Sequence, residues 1–170
     1  MSDTISPQAN ELLNALCISL GMPSLGTPSE QYLVIDLSGC PMEIAFQADA
    51  TGGHGHFAMT TFIGEVELHD DLGRLAARLL QANMVWQETQ GSALCLTADM
   101  DGVVLRRWVM LDGLDLPALR QHIELHLSAT LAWQKAYATV TDTPAAAGNA
   151  VNEASQQRGT NAHSPSVLRA

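Results

Sequence analysis

The residues with the strongest claim to chemistry are His54 and His56, with His69 and Asp70 a little further along the chain. Neutral imidazoles suit zinc, copper and nickel, and a carboxylate would extend the donor set. Only two of these donors are local. The run Thr51-Gly52-Gly53-His54-Gly55-His56 has the composition of an exposed hairpin connection, so the expectation is a loop with no resident metal or cofactor. Gly52-Gly53-x-Gly55 has glycine spacing suited to phosphate, but no Lys-Ser/Thr pair follows and the next segment reads as a strand. Asp99-x-Asp101-Gly102 begins like a calcium loop, yet the later ligands and the terminal glutamate are missing. The adjacent carboxylates of Asp70 and Asp71 are suited to acid and base roles. They stand directly before an apolar helical stripe, where capping and the helix dipole account for them. No Gly-x-Ser-x-Gly elbow is present, and Cys17, Cys40 and Cys95 are odd in number with no Cys-x-x-Cys spacing. Without a complete constellation, the reading is a binding protein and not an enzyme; a small enzyme or metal protein centred on His54, His56 and His69 is the reading it competes with.

The elements around these residues follow from periodicity. Ser6-Pro7 opens a first helix in which Ala9, Leu12, Leu13, Leu16, Cys17 and Leu20 recur at helical spacing, ending near Leu20 before Gly21 and Pro23. Residues 32–37 are rich in branched and aromatic side chains, and Met42, Ile44 and Phe46 alternate with polar or small residues, with Ser38-Gly39-Cys40-Pro41 as the turn between two strands. A third strand spans 57–66. A second helix, capped by Asp70 or Asp71, carries Leu72, Leu75, Ala76, Leu79 and Leu80. Residues 93–97 and 103–110 flank an Asp-Gly hairpin signal. A last helix starts near Asp115 and presents Leu116, Leu119, Ile123, Leu127 and Leu131, with a second line of Leu125, Ala129, Trp133 and Ala136. Short links between strands imply an antiparallel sheet, so the expected class is α+β in the order α-β-β-β-α-β-β-α, with helices on one face.

Composition bounds the rest. Apolar residues make up 46% of the 170 residues against 15% charged, a globular balance. A formal net charge of −10 repels phosphate backbones and anionic lipid, which argues against nucleic-acid and membrane partners. The start Met1-Ser2-Asp3-Thr4-Ile5 has neither the basic end nor the apolar core of a signal peptide, and no apolar run of about 20 residues is present to span a bilayer. A cytoplasmic location is expected. From about residue 141 the chain turns to Ala, Asn, Ser, Gln, Gly and Pro. The expected organisation is therefore one domain over 1–140 and a disordered tail over 141–170.

Four segments together resemble a known family. They are Leu79-Leu80-Gln81-Ala82-Asn83, then Thr89-Gln90-Gly91-Ser92-Ala93-Leu94-Cys95-Leu96, then Gly102-Val103-Val104-Leu105, and Ala132-Trp133. In that order they resemble the class I type III secretion chaperones of the Tir-chaperone (CesT-like) family, over roughly 7–137, and the element order agrees. The resemblance implies a homodimer that binds an extended amino-terminal segment of one or more secreted effectors, keeps them export-competent and guides them to the secretion ATPase. By position it implies dimer contacts at Leu72, Leu75, Leu79 and Val85, and effector contacts at Leu12, Leu16, Leu94, Leu96 and Trp108. The alternative reading is a regulatory protein that sequesters a transcription factor or secretion component with the same surfaces. The His54–His56 loop and the tail beyond Val140 depart from the family pattern and bear on cargo range.

Overall fold

The computed structural model describes residues 6–23, 32–49, 55–66 and 71–141. Pro7, with its fixed φ and missing N–H, suits the first helical position, and helix α1 runs from it over Pro7–Ser19. Ala9, Leu12, Leu13, Leu16 and Cys17 form its buried face. Strands β1 (Tyr32–Leu37) and β2 (Cys40–Gln47) are joined by Ser38 and Gly39. Both turn residues have positive φ, the conformation that matches the twist of a two-residue hairpin, and Asp36 Oδ1 accepts from the Gly39 N–H at 2.9 Å.

Strand β3 (His56–Glu65) follows, then helix α2 (Leu72–Met84), where Asp71 caps the first turn by accepting from the Arg74 N–H at 3.1 Å. A one-turn helix α3 (Trp86–Thr89), not expected from the sequence, leads into β4 (Ala93–Leu96). Four residues are too few to show a helical period. The Asp-Gly hairpin turns into β5 (Gly102–Met110): the Thr97 hydroxyl accepts from the N–H groups of Asp101 and Gly102 and donates to the Asp101 carboxylate at 2.6 Å. The motif that opens like a calcium loop thus spends a carboxylate on its own turn. Helix α4 (Leu116–Thr141) is capped by Asp115, which accepts from the Ala118 N–H at 2.8 Å.

The five strands form one antiparallel sheet in the order β1-β2-β3-β5-β4. Two apolar clusters lie on the same face of it. In the first, α1 and Leu119 and Ile123 of α4 cover Leu33, Ile35, Met42, Ile44, Phe57, Met59 and Val109. In the second, Leu79 and Ala82 of α2 and Ala129 of α4 cover Ile63, Leu94, Val103 and Leu105. The expected α+β architecture, with helices on one face, is what the chain adopts.

Helix α4 is fastened along its second half to α3 and to β3. Trp133 Nε1 donates to the Glu88 carbonyl at 3.0 Å, Gln134 Nε2 to the Phe62 carbonyl at 2.9 Å and the Tyr137 hydroxyl to the Glu65 carbonyl at 2.9 Å. The Tyr137 ring lies so close to Gly64 that a Cβ there would stand 2.5 Å from it, at the bulge where the β3–β5 register slips. No helix among the described residues is long and apolar enough to cross a membrane. The chain divides after Ala138, and the tail expected from 141 onward lies, beyond Thr141 itself, outside the described residues.

Candidate partner-binding surfaces

Three places hold side chains that the apolar core does not absorb. The first is a buried polar cluster between the two apolar ones, where His126 is fully buried. Its Nε2 lies 2.6 Å from the Thr61 hydroxyl and its Nδ1 3.1 Å from the Ser92 hydroxyl. Arg107 Nε donates to Ser92 Oγ at 3.2 Å, Nη1 to His122 Nδ1 at 3.2 Å and Nη2 to the Gln90 carbonyl. Thr130 joins through the Thr61 hydroxyl at 3.0 Å. Burial first, and the Arg107 charge second, pull His126 down to about 4; the same two causes lower His122. The imidazole of His126 is therefore neutral at pH 7, with both nitrogens engaged. A Ser-His contact is present, but the ring is sealed inside the fold, and the geometry suits satisfying buried groups.

The second place is the sheet face that no helix among the described residues covers. Strand alternation puts Tyr32, Val34, Glu43, Ala45, Ala58, Thr60, Phe62, Val104, Arg106, Trp108 and Met110 there, opposite the clustered residues. One cross-strand row reads Tyr32, Ala45, Ala58, Trp108. Two alanines thus separate the two aromatic residues, roughly 14 Å apart at three strand spacings, with Ala45 half-buried and Ala58 buried. Trp108 is 49% exposed, and Tyr32, Phe62 and Met110 are exposed as well. The Arg106 guanidinium lies over the Trp108 ring, 5.3 Å from its centroid.

The third is the outer side of α2 and α3, where Leu72, Leu80, Met84, Val85 and Trp86 are all exposed. Large apolar side chains exposed on two successive elements make this a candidate interaction site.

The model of the Tir chaperone protein (CesT) family matches residues 11–134. The chain belongs to that family. Among curated proteins, none matches the sequence significantly. Several solved structures share the fold. A chain of the ExsC-ExsE complex superposes with a TM-score of 0.62 at 15% identity, over 79% of this chain and 96% of that one. A chain of the ExoT-SpcS complex from Pseudomonas aeruginosa gives 0.54 at 16% identity, over 75% and 98%. A chain from the complex of the Yersinia pestis type III secretion chaperone SycH with a stable fragment of YscM2 gives 0.53 at 12% identity, over 73% and 98%.

Within this CesT-family fold the sequence-predicted residues fall in different places. Of the five effector-contact positions, Trp108 is on the open sheet face and Leu96 is half-buried beside the second cluster. Leu12, Leu16 and Leu94 are interior. The helical period of α1 turns Leu12 and Leu16 onto the sheet, and Leu94 lies on the helix-covered face of β4. Of the four dimer positions, Leu72 and Val85 are exposed and Leu75 is half-buried. Leu79, 8% exposed, belongs to the second cluster, whereas its neighbour Leu80 is 67% exposed. His56 opens β3 and its Nε2 lies 3.1 Å from Gln47 Oε1; His54, His69 and Asp70 lie outside the described residues.

Sequence reasoning passed over Leu80, Met84 and Trp86, and Tyr32, Phe62, Arg106 and Met110. A signal for both groups was present. Leu80 and Met84 stand one turn apart, and β5 carries apolar residues at both parities, so one set had to point away from the core.

Proposed function

We propose that this protein is a type III secretion chaperone of the bacterial cytosol that binds the amino-terminal segment of one or more effectors, keeps it export-competent and delivers it to the secretion apparatus. The observation that carries the reading is the exposure of Trp108, on a sheet face that no described helix covers. An extended segment places apolar anchors there, and no bond is made or broken; Leu96, on the helix-covered face of β4 beside the second cluster, supports the sheet with Leu94. Leu12, Leu16 and Leu94 support the sheet from beneath.

Strand addition is directed to β1. At the other edge the Asn83 side chain already brackets β4, donating to the Leu94 carbonyl at 2.9 Å and accepting from the Leu94 N–H at 2.8 Å. A side-chain amide that meets both backbone groups of an edge residue replaces a neighbouring strand there.

The second copy docks through α2 and α3, with Leu72, Leu80, Met84, Val85 and Trp86 at the contact and Leu75 and Leu79 backing it. Exposed apolar side chains on α2 and the start of α3 suit the self-complementary patch that a two-fold interface needs. The test is copurification from the native bacterium with mass spectrometry, and light scattering on the isolated protein. A dimer that carries secreted effectors through their amino-terminal segments is expected. A monomer, or a protein bound only to a transcription factor, would reject the reading.

A further inference from the structure

Arg106 is the one Lys or Arg among the described residues of the open sheet face. Its guanidinium rests on the Trp108 ring, while its Nε is buried and has no hydrogen-bond partner. A buried N–H left unpaired is unfavourable, and native structures seldom keep one without cause. The cross-strand row through Arg106 reads Val34, Glu43, Thr60, Arg106, Ala93. The flanking positions are thus a threonine and an alanine, and the carboxylate in the row stands two strands away, roughly 10 Å.

We propose that Arg106 is a specificity-determining residue of the open sheet face, reading an acidic side chain of the bound effector segment beside the apolar anchor that Trp108 takes up. This rests on the reading of that face as the effector-binding surface. The planar guanidinium presents donors in a fork that fits a carboxylate with two parallel hydrogen bonds. Docking of the carboxylate turns Arg106 off the indole, satisfies Nε and frees the ring for the neighbouring apolar residue. Ala45 and Ala58, which separate Trp108 from Tyr32 in the cross-strand row, bring no long side chain of their own to that side of the ring. Elsewhere the chain, at −10, repels acidic segments, so one cation beside one aromatic ring selects both for a negative charge and for its position.

The test is a displayed random peptide library panned on the purified full chain and on its Arg106→Gln and Trp108→Ala variants. Peptides selected by the unaltered chain carry Asp or Glu beside an aromatic or aliphatic residue several-fold above library frequency. On Arg106→Gln the acidic enrichment falls to library frequency while the apolar enrichment persists; on Trp108→Ala affinity drops about tenfold or more. Should either variant fail to fold by circular dichroism, Arg106→Lys and Trp108→Leu make the same comparison, with a weakened acidic preference expected for the lysine. Unchanged acidic enrichment on the Arg106 variant, with binding still lost on the Trp108 variant, overturns the role of Arg106 and leaves the open-face reading standing. Peptides indifferent to both substitutions bind elsewhere and overturn both. Peptides that split the dimer in light scattering, or that match residues 142–170, assign the face to a second copy or to the chain's own tail and overturn the proposal.

Discussion

On β5, Val103, Leu105 and Val109 point toward the helices and are buried, while Trp108 and Met110, of the same apolar class and one residue away, point to the uncovered face and stay exposed. The reverse holds for polar groups: Arg107 and His126 are interior, Arg106 is half-buried on the open side. Residue type does not separate these pairs. What separates them is which side of the sheet the described helices cover, and the other side keeps large apolar side chains exposed.

The same contrast recurs on α2, and there it breaks most sharply. Leu79→Asp puts an unpaired charge into the second cluster and is expected to cost about 4 kcal/mol or more, enough to unfold a protomer. Leu80→Asp, one residue on, should leave the protomer folded and convert the proposed dimer to a monomer in sedimentation. A folded monomer from Leu79→Asp would reverse the assignment of the two positions. Next in size, Phe57→Ala in the first cluster is expected to lower stability by about 3 to 5 kcal/mol in urea unfolding. Trp108→Ala on the open face should change it by under about 1 kcal/mol while abolishing effector copurification. Equal losses would mean that the open face is core.

A smaller effect comes from the buried polar cluster. His126 takes up a proton in the folded state only near pH 4, against 6.5 ordinarily. The unfolded chain therefore binds that proton first as pH falls, and stability present above 6.5 is lost progressively toward 4. Between pH 7 and pH 5 the expected loss is about 2 kcal/mol, and the lowered His122 acts in the same direction. An unfolding midpoint constant over that range would show that His126 is protonated without unfolding. Asn83→Ala leaves the Leu94 N–H and carbonyl without their bracket, for about 1 to 2 kcal/mol. It should also open β4 to intermolecular pairing, visible as concentration-dependent association.

The regular elements were legible because each carries its own period and its own stop: Pro7 and Gly21 around α1, Asp71 before α2, Asp115 before α4 and the Thr97–Gly102 turn. Helix α3 escaped because one turn has no period to read. The surface sites were legible only in part. Trp108 was identified by position in a resembled family and stands exposed, whereas Leu79 and Leu80 were indistinguishable as members of one apolar stripe. Arg107, His122 and His126 come from β5 and α4, with partners on β3 and in the segment before β4, so no local spacing announced their cluster.

By itself, then, the sequence determined the types and order of every element but α3, the antiparallel hairpins and the family, because these depend on local period, turn chemistry and residue order. Which leucines are core, which apolar side chains stay in water, and that a buried arginine should be met by serine, histidine and a carbonyl were decided only by tertiary packing. The physical reason is that period fixes which residues share a face, but the packing of α1, α2 and α4 against the sheet determines which face loses its water.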